Sequence, residues 1–295
     1  MKFFNRQSSV LFLSIVLILN CLAVHAQESR VILTRDDSTI VLEPYAPNIL
    51  RVTMSTLKDD ATSGPGYGIV AKPDATGWTH ETTSAGDTYK SARMTVFIAA
   101  PAPPRMRPDG SFWKGPRKNF NGADRGPYLT VTGENGMPLV DMLGWEMAEL
   151  NSKDGDSQLN YDRRPEDPQF YRVGATFASP DDEHYYGLGE NQEGYLDHRG
   201  HKVECWADYQ SAGGPSFCVP FLVTNKGYGL LWDNPSKTTI LPGFNEETKW
   251  ISQVGQRISF FVVAGTTTDE IYAGYRLLTG DTPMLPKWAY GLIQC

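Results

Sequence analysis

Basic residues are in short supply. The 295-residue chain has 27 Lys and Arg against 34 Asp and Glu, a formal charge of −7 and a pI near 5.3. Nucleic acid demands a basic face, so that class of partner is excluded. Beyond the first 26 residues no run approaches the roughly 20 apolar residues of a membrane helix, so no span is expected. There is no nucleophile elbow, no HExxH and no Cys/His nucleophile arrangement, which removes the familiar serine, zinc and cysteine hydrolase signatures. Phosphate cradles are missing too: the glycines near residue 189 lack the strand–GxGxxG–helix context, and the acids around them would repel phosphate. No cofactor is implied, and no repeat of fixed period is visible.

Cysteine is scarce, at four residues. Cys21 falls in the N-terminal segment, and Cys205, Cys218 and Cys295 have no metal-ligand spacing. Cys205 and Cys218 admit either a disulfide in an oxidising compartment or two buried thiols. Residues 1–26 have the three parts of an export signal. Lys2 and Arg6 form a positive n-region, Val10 to Leu19 an apolar h-region, and Val24-His25-Ala26 a small-residue cleavage site. A periplasmic or secreted protein is expected. Asn20 before Cys21 disfavours the rival lipoprotein processing, which wants a small residue there.

What is abundant is strand signal and aromatic side chains, the latter 12% of the chain. Such a surplus suits a large sandwich core and also sugar-stacking surfaces. Leu50, Val52 and Met54 alternate with Arg51 and Thr53, the pattern of a half-buried strand. Ser38–Tyr45, Arg93–Ala99, Tyr128–Thr132, Ser216–Thr224 and Ile258–Ala264 are further strand candidates. The last, ISFFVVA, is apolar on both faces and is expected to be central. Asn225-Lys226-Gly227 and Asp109-Gly110 mark turns. One helix is predicted: Thr267 with Glu270 forms a capping box, Ile271, Tyr275 and Leu278 repeat at helical spacing, and Gly280 stops it. Residues 101–127 and 151–169 are polar, Pro- or Gly-punctuated excursions. Residues 27–281 are thus expected to form a large antiparallel β-sandwich with one closing helix. In 282–295, Pro283 and Pro286 bracket a linker, and Trp288 onward reads as a buried strand opening a further domain, so more chain is expected beyond it.

Candidate chemistry concentrates in Tyr186–Gly200, YGLGENQEGYLDHRG, where glycines allow tight turns and Glu190, Asn191, Gln192, Asp197, His198 and Arg199 can all bond hydroxyls. The plain alternative is a solvated loop. Phe221–Thr238 reads as a hairpin ending in Trp232, Asp233 and Asn234, with a capping Asx turn. Sequence alone does not pair Glu190, Glu193, Asp197, Glu204 or Asp208 into the close carboxylates that glycoside hydrolysis requires.

YGLGENQEGYLDHRG, PFLVTNKGYGLLWDNPSKT and LPKWAYGLIQ, in this order and spacing, resemble glycoside hydrolase family 31, which includes α-glucosidases and α-xylosidases. The resemblance runs from about Val31 and is most specific from Tyr186. It implies a galactose-mutarotase-like N-terminal sandwich followed by a (β/α)₈ barrel, whose first strand AYGLIQ would begin. It also implies a retaining mechanism on two barrel aspartates that match no position in this chain, so the chain alone is expected to be inactive. An N-terminal loop helps shape the aglycone side of the pocket in that family. On that basis Asp197, His198 and Arg199 are expected to bind substrate, with Leu292, Ile293 and Gln294 on the pocket floor. The implied partners are an oligosaccharide and the C-terminal barrel of the same polypeptide. Two other function classes compete. A carbohydrate-binding module would use Phe112, Trp113 and Phe120, and a sugar mutarotase would need His184, His198 or His201 paired with Glu190.

Overall fold

The computed structural model describes residues 30–35, 38–101, 128–150, 169–190, 193–206 and 217–291. The segment 1–26 expected to be an export signal, Phe112, Trp113 and Phe120, Asp208, and Leu292, Ile293 and Gln294 lie outside them. The described residues form two antiparallel sheets packed face to face. One has seven strands in the order β1 (Val31–Arg35), β2 (Ser38–Ala46), β3 (Ile49–Ser55), β16 (Ile258–Ala264), β13 (Tyr228–Trp232), β12 (Phe221–Thr224) and β10 (Tyr185–Gly187). The other has nine: β11 (Val203–Cys205), β14 (Thr238–Phe244), β15 (Glu247–Gly255), β9 (Tyr171–Ala178), β8 (Pro138–Glu149), β7 (Leu129–Gly133), β6 (Met94–Ala99), β5 (Gly86–Lys90) and β4 (Thr79–Thr83). A short helix α1 (Lys58–Thr62), helix α2 (Thr268–Thr279) and a 3₁₀ turn at Lys287–Tyr290 complete the architecture. The large sandwich expected from the sequence is the fold observed.

β16 is the middle strand of its sheet, and every residue of ISFFVVA is buried. Ile258, Phe260 and Val262 face the opposing sheet, whose Trp250 and Phe177 fill the core together with Trp232 of neighbouring β13. Phe261 and Val263 face the other way, into a second apolar layer closed by Ile271 and Leu278 of α2. Burying each such side chain contributes about 1.5–3 kcal/mol, which is why a strand apolar on both faces settles at the centre of a covered sheet. The helix begins and ends as its sequence predicts. Thr267 accepts from the Glu270 N–H at 3.2 Å, the Glu270 carboxylate takes the Thr266 N–H at 2.7 Å, and Gly280, at φ 87°, turns the chain out.

Three expectations are corrected. β3 is buried on both faces rather than half-exposed: Arg51 and Thr53 are shielded from water, and Arg51 Nη1 donates to the Ser63 carbonyl at 3.0 Å. Arg51, 1% exposed, donates to Ser259 Oγ at 3.0 Å and Glu43 Oε2 at 3.3 Å and lies 3.6 Å from Asp233 Oδ2. A buried charge is tolerable only when paired in this way. The strand candidate 216–224 shrinks to Phe221–Thr224, since Pro220 has no N–H to donate to a ladder. The apolar tail opens as a 3₁₀ turn, not a strand: Pro286 presets its entry, and Ala289 N–H returns to the Pro286 carbonyl at 2.9 Å. Trp288 and Tyr290 are exposed.

Candidate functional site

The glycine-rich segment occupies a crossing point. β10 is the edge of the seven-stranded sheet and β11 the edge of the nine-stranded one, so residues 188–202 carry the chain from one sheet to the other. The turn into the segment runs through left-handed backbone at Gly187, Leu188 and Gly189, with φ of 92°, 61° and 91°. Leu188 pays for that conformation with complete burial and a bond from its N–H to the Phe221 carbonyl at 3.0 Å.

Asp197 sits at the far side of the loop. Its Oδ1 accepts from the Tyr185 N–H and the Arg199 N–H, both at 3.0 Å, and its Oδ2 lies 2.6 Å from His184 Nδ1. The bond to Arg199, two residues on, is an Asx turn. Partial burial pushes the Asp197 carboxyl up, but the bonds from Tyr185, His184 and Arg199 outweigh it and hold the group below its ordinary range. His198 is buried, with Nε2 3.2 Å from the Gly187 carbonyl and its own N–H on the Tyr185 carbonyl. Arg199 reaches into the 179–183 turn, where Nη1 meets Ser179 Oγ and the Pro180 and Glu183 carbonyls, each at 2.9 Å. All three predicted residues are therefore brought together, and each is bonded to the scaffold. Leu292, Ile293 and Gln294 lie outside the described residues.

Beneath the loop is a polar cluster that sequence reasoning did not single out. Glu183, 2% exposed, accepts the hydroxyls of Tyr185 and Tyr228, each at 2.7 Å. Desolvation raises its carboxyl above the ordinary range despite those two bonds, and it raises both phenols as well. The β12–β13 turn locks the approach to this cluster: Asn225 Oδ1 accepts the His184 N–H at 2.8 Å. What the loop presents outward is apolar and aromatic. Leu196 is exposed, and the ring of half-exposed Tyr195 stacks on His201 with centroids 3.7 Å apart and planes 17° from parallel. Among the described residues no cluster of His, Cys, Asp or Glu could hold a metal ion.

The structure decides the cysteine question: Cys205 and Cys218 form a disulfide, with Cα atoms 5.0 Å apart. It reinforces the same crossing point, tying the end of β11 to the strip that precedes β12. Of the mutarotase candidates, His184 engages Asp197, His198 a backbone carbonyl and His201 the Tyr195 ring, while Glu190 is bridged through its backbone to Phe217.

Two antiparallel sheets joined at their edge strands by a hydrogen-bonded, glycine-rich crossing define a large β-sandwich. Residues 39–240 match the glycosyl hydrolase 31 N-terminal galactose mutarotase-like domain, and the chain belongs to that family. Among curated relatives, an α-xylosidase of Saccharolobus solfataricus is 38% identical over 130 residues, which is 42% of this chain and 17% of the relative. An uncharacterized family 31 glucosidase of Pseudescherichia vulneris is 33% identical over 125 residues, 42% of this chain and 22% of its own. Among solved structures, the α-xylosidase of Xanthomonas citri superposes with a TM-score of 0.66 at 17% identity, over 89% of this chain and 41% of that one. An α-xylosidase from a soil metagenome, solved with xylose, gives 0.63 at 22%, over 89% and 35%. The chain spans well under half the length of these relatives.

Proposed function

We propose that this chain is the non-catalytic N-terminal sandwich of an exported, retaining α-glycosidase of the α-xylosidase or α-glucosidase type, acting on oligosaccharides. The observation that carries the reading is the match of residues 39–240 to the family's N-terminal domain, since the family resemblance assigns the catalytic aspartates to a C-terminal barrel. Export is supported by the signal pattern of residues 1–26 and by the Cys205–Cys218 disulfide, which is at home in an oxidising compartment. Within the whole enzyme, the loop 193–201 faces the leaving-group side of the sugar-binding cleft. Asp197, His198 and Arg199 shape it, and Tyr195 and Leu196 are the surface it offers. Leu292, Ile293 and Gln294 line the floor at the entry to the barrel.

The test is enzymatic. The purified chain should release no aglycone from aryl α-xylosides or α-glucosides above a buffer blank, because hydrolysis needs a carboxylate pair. The same chain joined to its downstream coding sequence should turn one of them over with retention. Turnover by the chain alone that survives repurification overturns the reading, as does inactivity of the extended protein on both substrates. Export is checked by the N-terminus of the mature protein, expected at Gln27.

A further inference from the structure

We propose that the Cys205–Cys218 disulfide is a redox-sensitive latch on the turn that opens the glycine-rich crossing, so that its reduction frees this edge of the sandwich while the core stays folded. The bridge lies where both sheets are thinnest. β10 and β11 are edge strands of three residues each, paired on one side only. Short edge pairing is where native proteins open first.

The strip Phe217–Val219 lies flat on the turn. Glu190 N–H donates to the Phe217 carbonyl at 2.8 Å, and Phe217 N–H returns to the Glu190 carbonyl at 3.1 Å. The backbones are in contact at Gly189. A Cβ there would fall 2.0 Å from the Phe217 oxygen, 2.6 Å from the Val219 nitrogen and 3.0 Å from Cys218 Cα. The turn beneath is strained, with three consecutive residues at positive φ and one of them a leucine. Such backbone persists only where its surroundings over-determine it.

Apolar burial contributes little to holding the strip down, since Phe217 is 49% and Val219 39% exposed, and Trp206 beside Cys205 is 52% exposed. The disulfide ties the strip covalently to the end of β11. A dithiol reductant can undo it with balanced chemistry. Its thiolate attacks one cysteine sulfur, the S–S bond breaks, and the other cysteine leaves as a thiolate. The reductant's second thiol then displaces the mixed disulfide. Two electrons and two protons have passed to the protein, which holds two thiols, and the reductant is oxidised to its own disulfide.

The experiment is amide hydrogen exchange on the full chain, with and without dithiothreitol, with alkylation of Cys205 and Cys218 to count thiols. On reduction, protection at Leu188 and Glu190 should fall by at least about tenfold, while the amides of β16 and β3 keep theirs. The double variant Cys205→Ser/Cys218→Ser should show the same local pattern without reductant. Unchanged protection at Leu188 and Glu190 once both thiols are alkylated overturns the proposal. So does loss of protection throughout both sheets, which would make the bridge a staple of the whole fold, and so does a bridge that native-state dithiothreitol does not reduce.

Discussion

Removing the Asp197 carboxylate separates the contributions of its two oxygens, because they serve different partners. Oδ1 accepts two backbone N–H groups, Tyr185 and Arg199, and Oδ2 engages the exposed imidazole of His184. Asp197→Ala deletes all three bonds. An N–H left without an acceptor at the fully buried Tyr185 costs about 1–3 kcal/mol, and a lost Asx turn costs about 1 kcal/mol. The sum is about 2–4 kcal/mol, which for a domain of this size lowers Tm by roughly 4–16 °C. Asp197→Asn keeps a carbonyl oxygen where Oδ1 sits and surrenders only the contact with His184. That exposed pair is worth about 0–1 kcal/mol, and His184→Ala should cost the same. The expected order in thermal unfolding is therefore Ala far below wild type, with Asn and His184→Ala close to it. The acid limb gives an independent check. The folded carboxyl titrates below its ordinary value of 3.8, so its contribution is complete above that pH and disappears as pH falls through the depressed folded value. Wild type should thus lose its margin over Asp197→Asn only at the acid extreme. An Asn variant as destabilised as the Ala variant, or an Ala variant with unchanged Tm, refutes this assignment of the oxygens.

Gly274→Ala in α2 should destabilise, by about 1–3 kcal/mol in chemical denaturation, although alanine is the better helix former. The added Cβ would meet Val263 Cγ1 at 2.4 Å and Ile49 Cδ1 at 3.3 Å, and a neutral or stabilised variant would show that the second apolar layer yields easily. Deleting Pro283–Cys295 should leave Tm unchanged and solubility equal or better, because Met284, Trp288 and Tyr290 are exposed and contribute no core. A marked fall in Tm would mean that the tail packs on the sandwich.

Several elements were legible because their cause is local. A seven-residue run with six apolar, strand-prone side chains and a single serine is at home only when buried on both faces, so β16 announces its central place. The capping box at Thr267–Glu270, the i, i+4, i+7 spacing and Gly280 determine α2 from start to stop. Asn225-Lys226-Gly227 closes the β12–β13 hairpin for the same reason, and Asn234 forms the anticipated Asx turn by accepting the Ser236 N–H. Arg51 shows the limit. Alternation along β3 predicts a polar face, but it does not say whether that face meets water or, as here, Glu43, Asp233 and a covering segment from elsewhere in the chain.

The crossing point belongs to the other category. Residue types in Tyr186–Gly200 identified a polar, turning segment, yet its geometry depends on groups that sequence does not place. Two of the three partners of Asp197 are twelve and thirteen residues upstream, and Arg199 reaches back to a turn near residue 180. The two cysteines meet because Cys205 ends β11, the edge of one sheet, while Cys218 lies in the strip that runs along the turn after β10, the edge of the other. Periodicity, caps and turns act over a few residues and are written in the chain. Which edges meet, and which carboxylate finds an N–H instead of solvent, is decided by the packing of two sheets whose neighbouring strands are far apart in sequence.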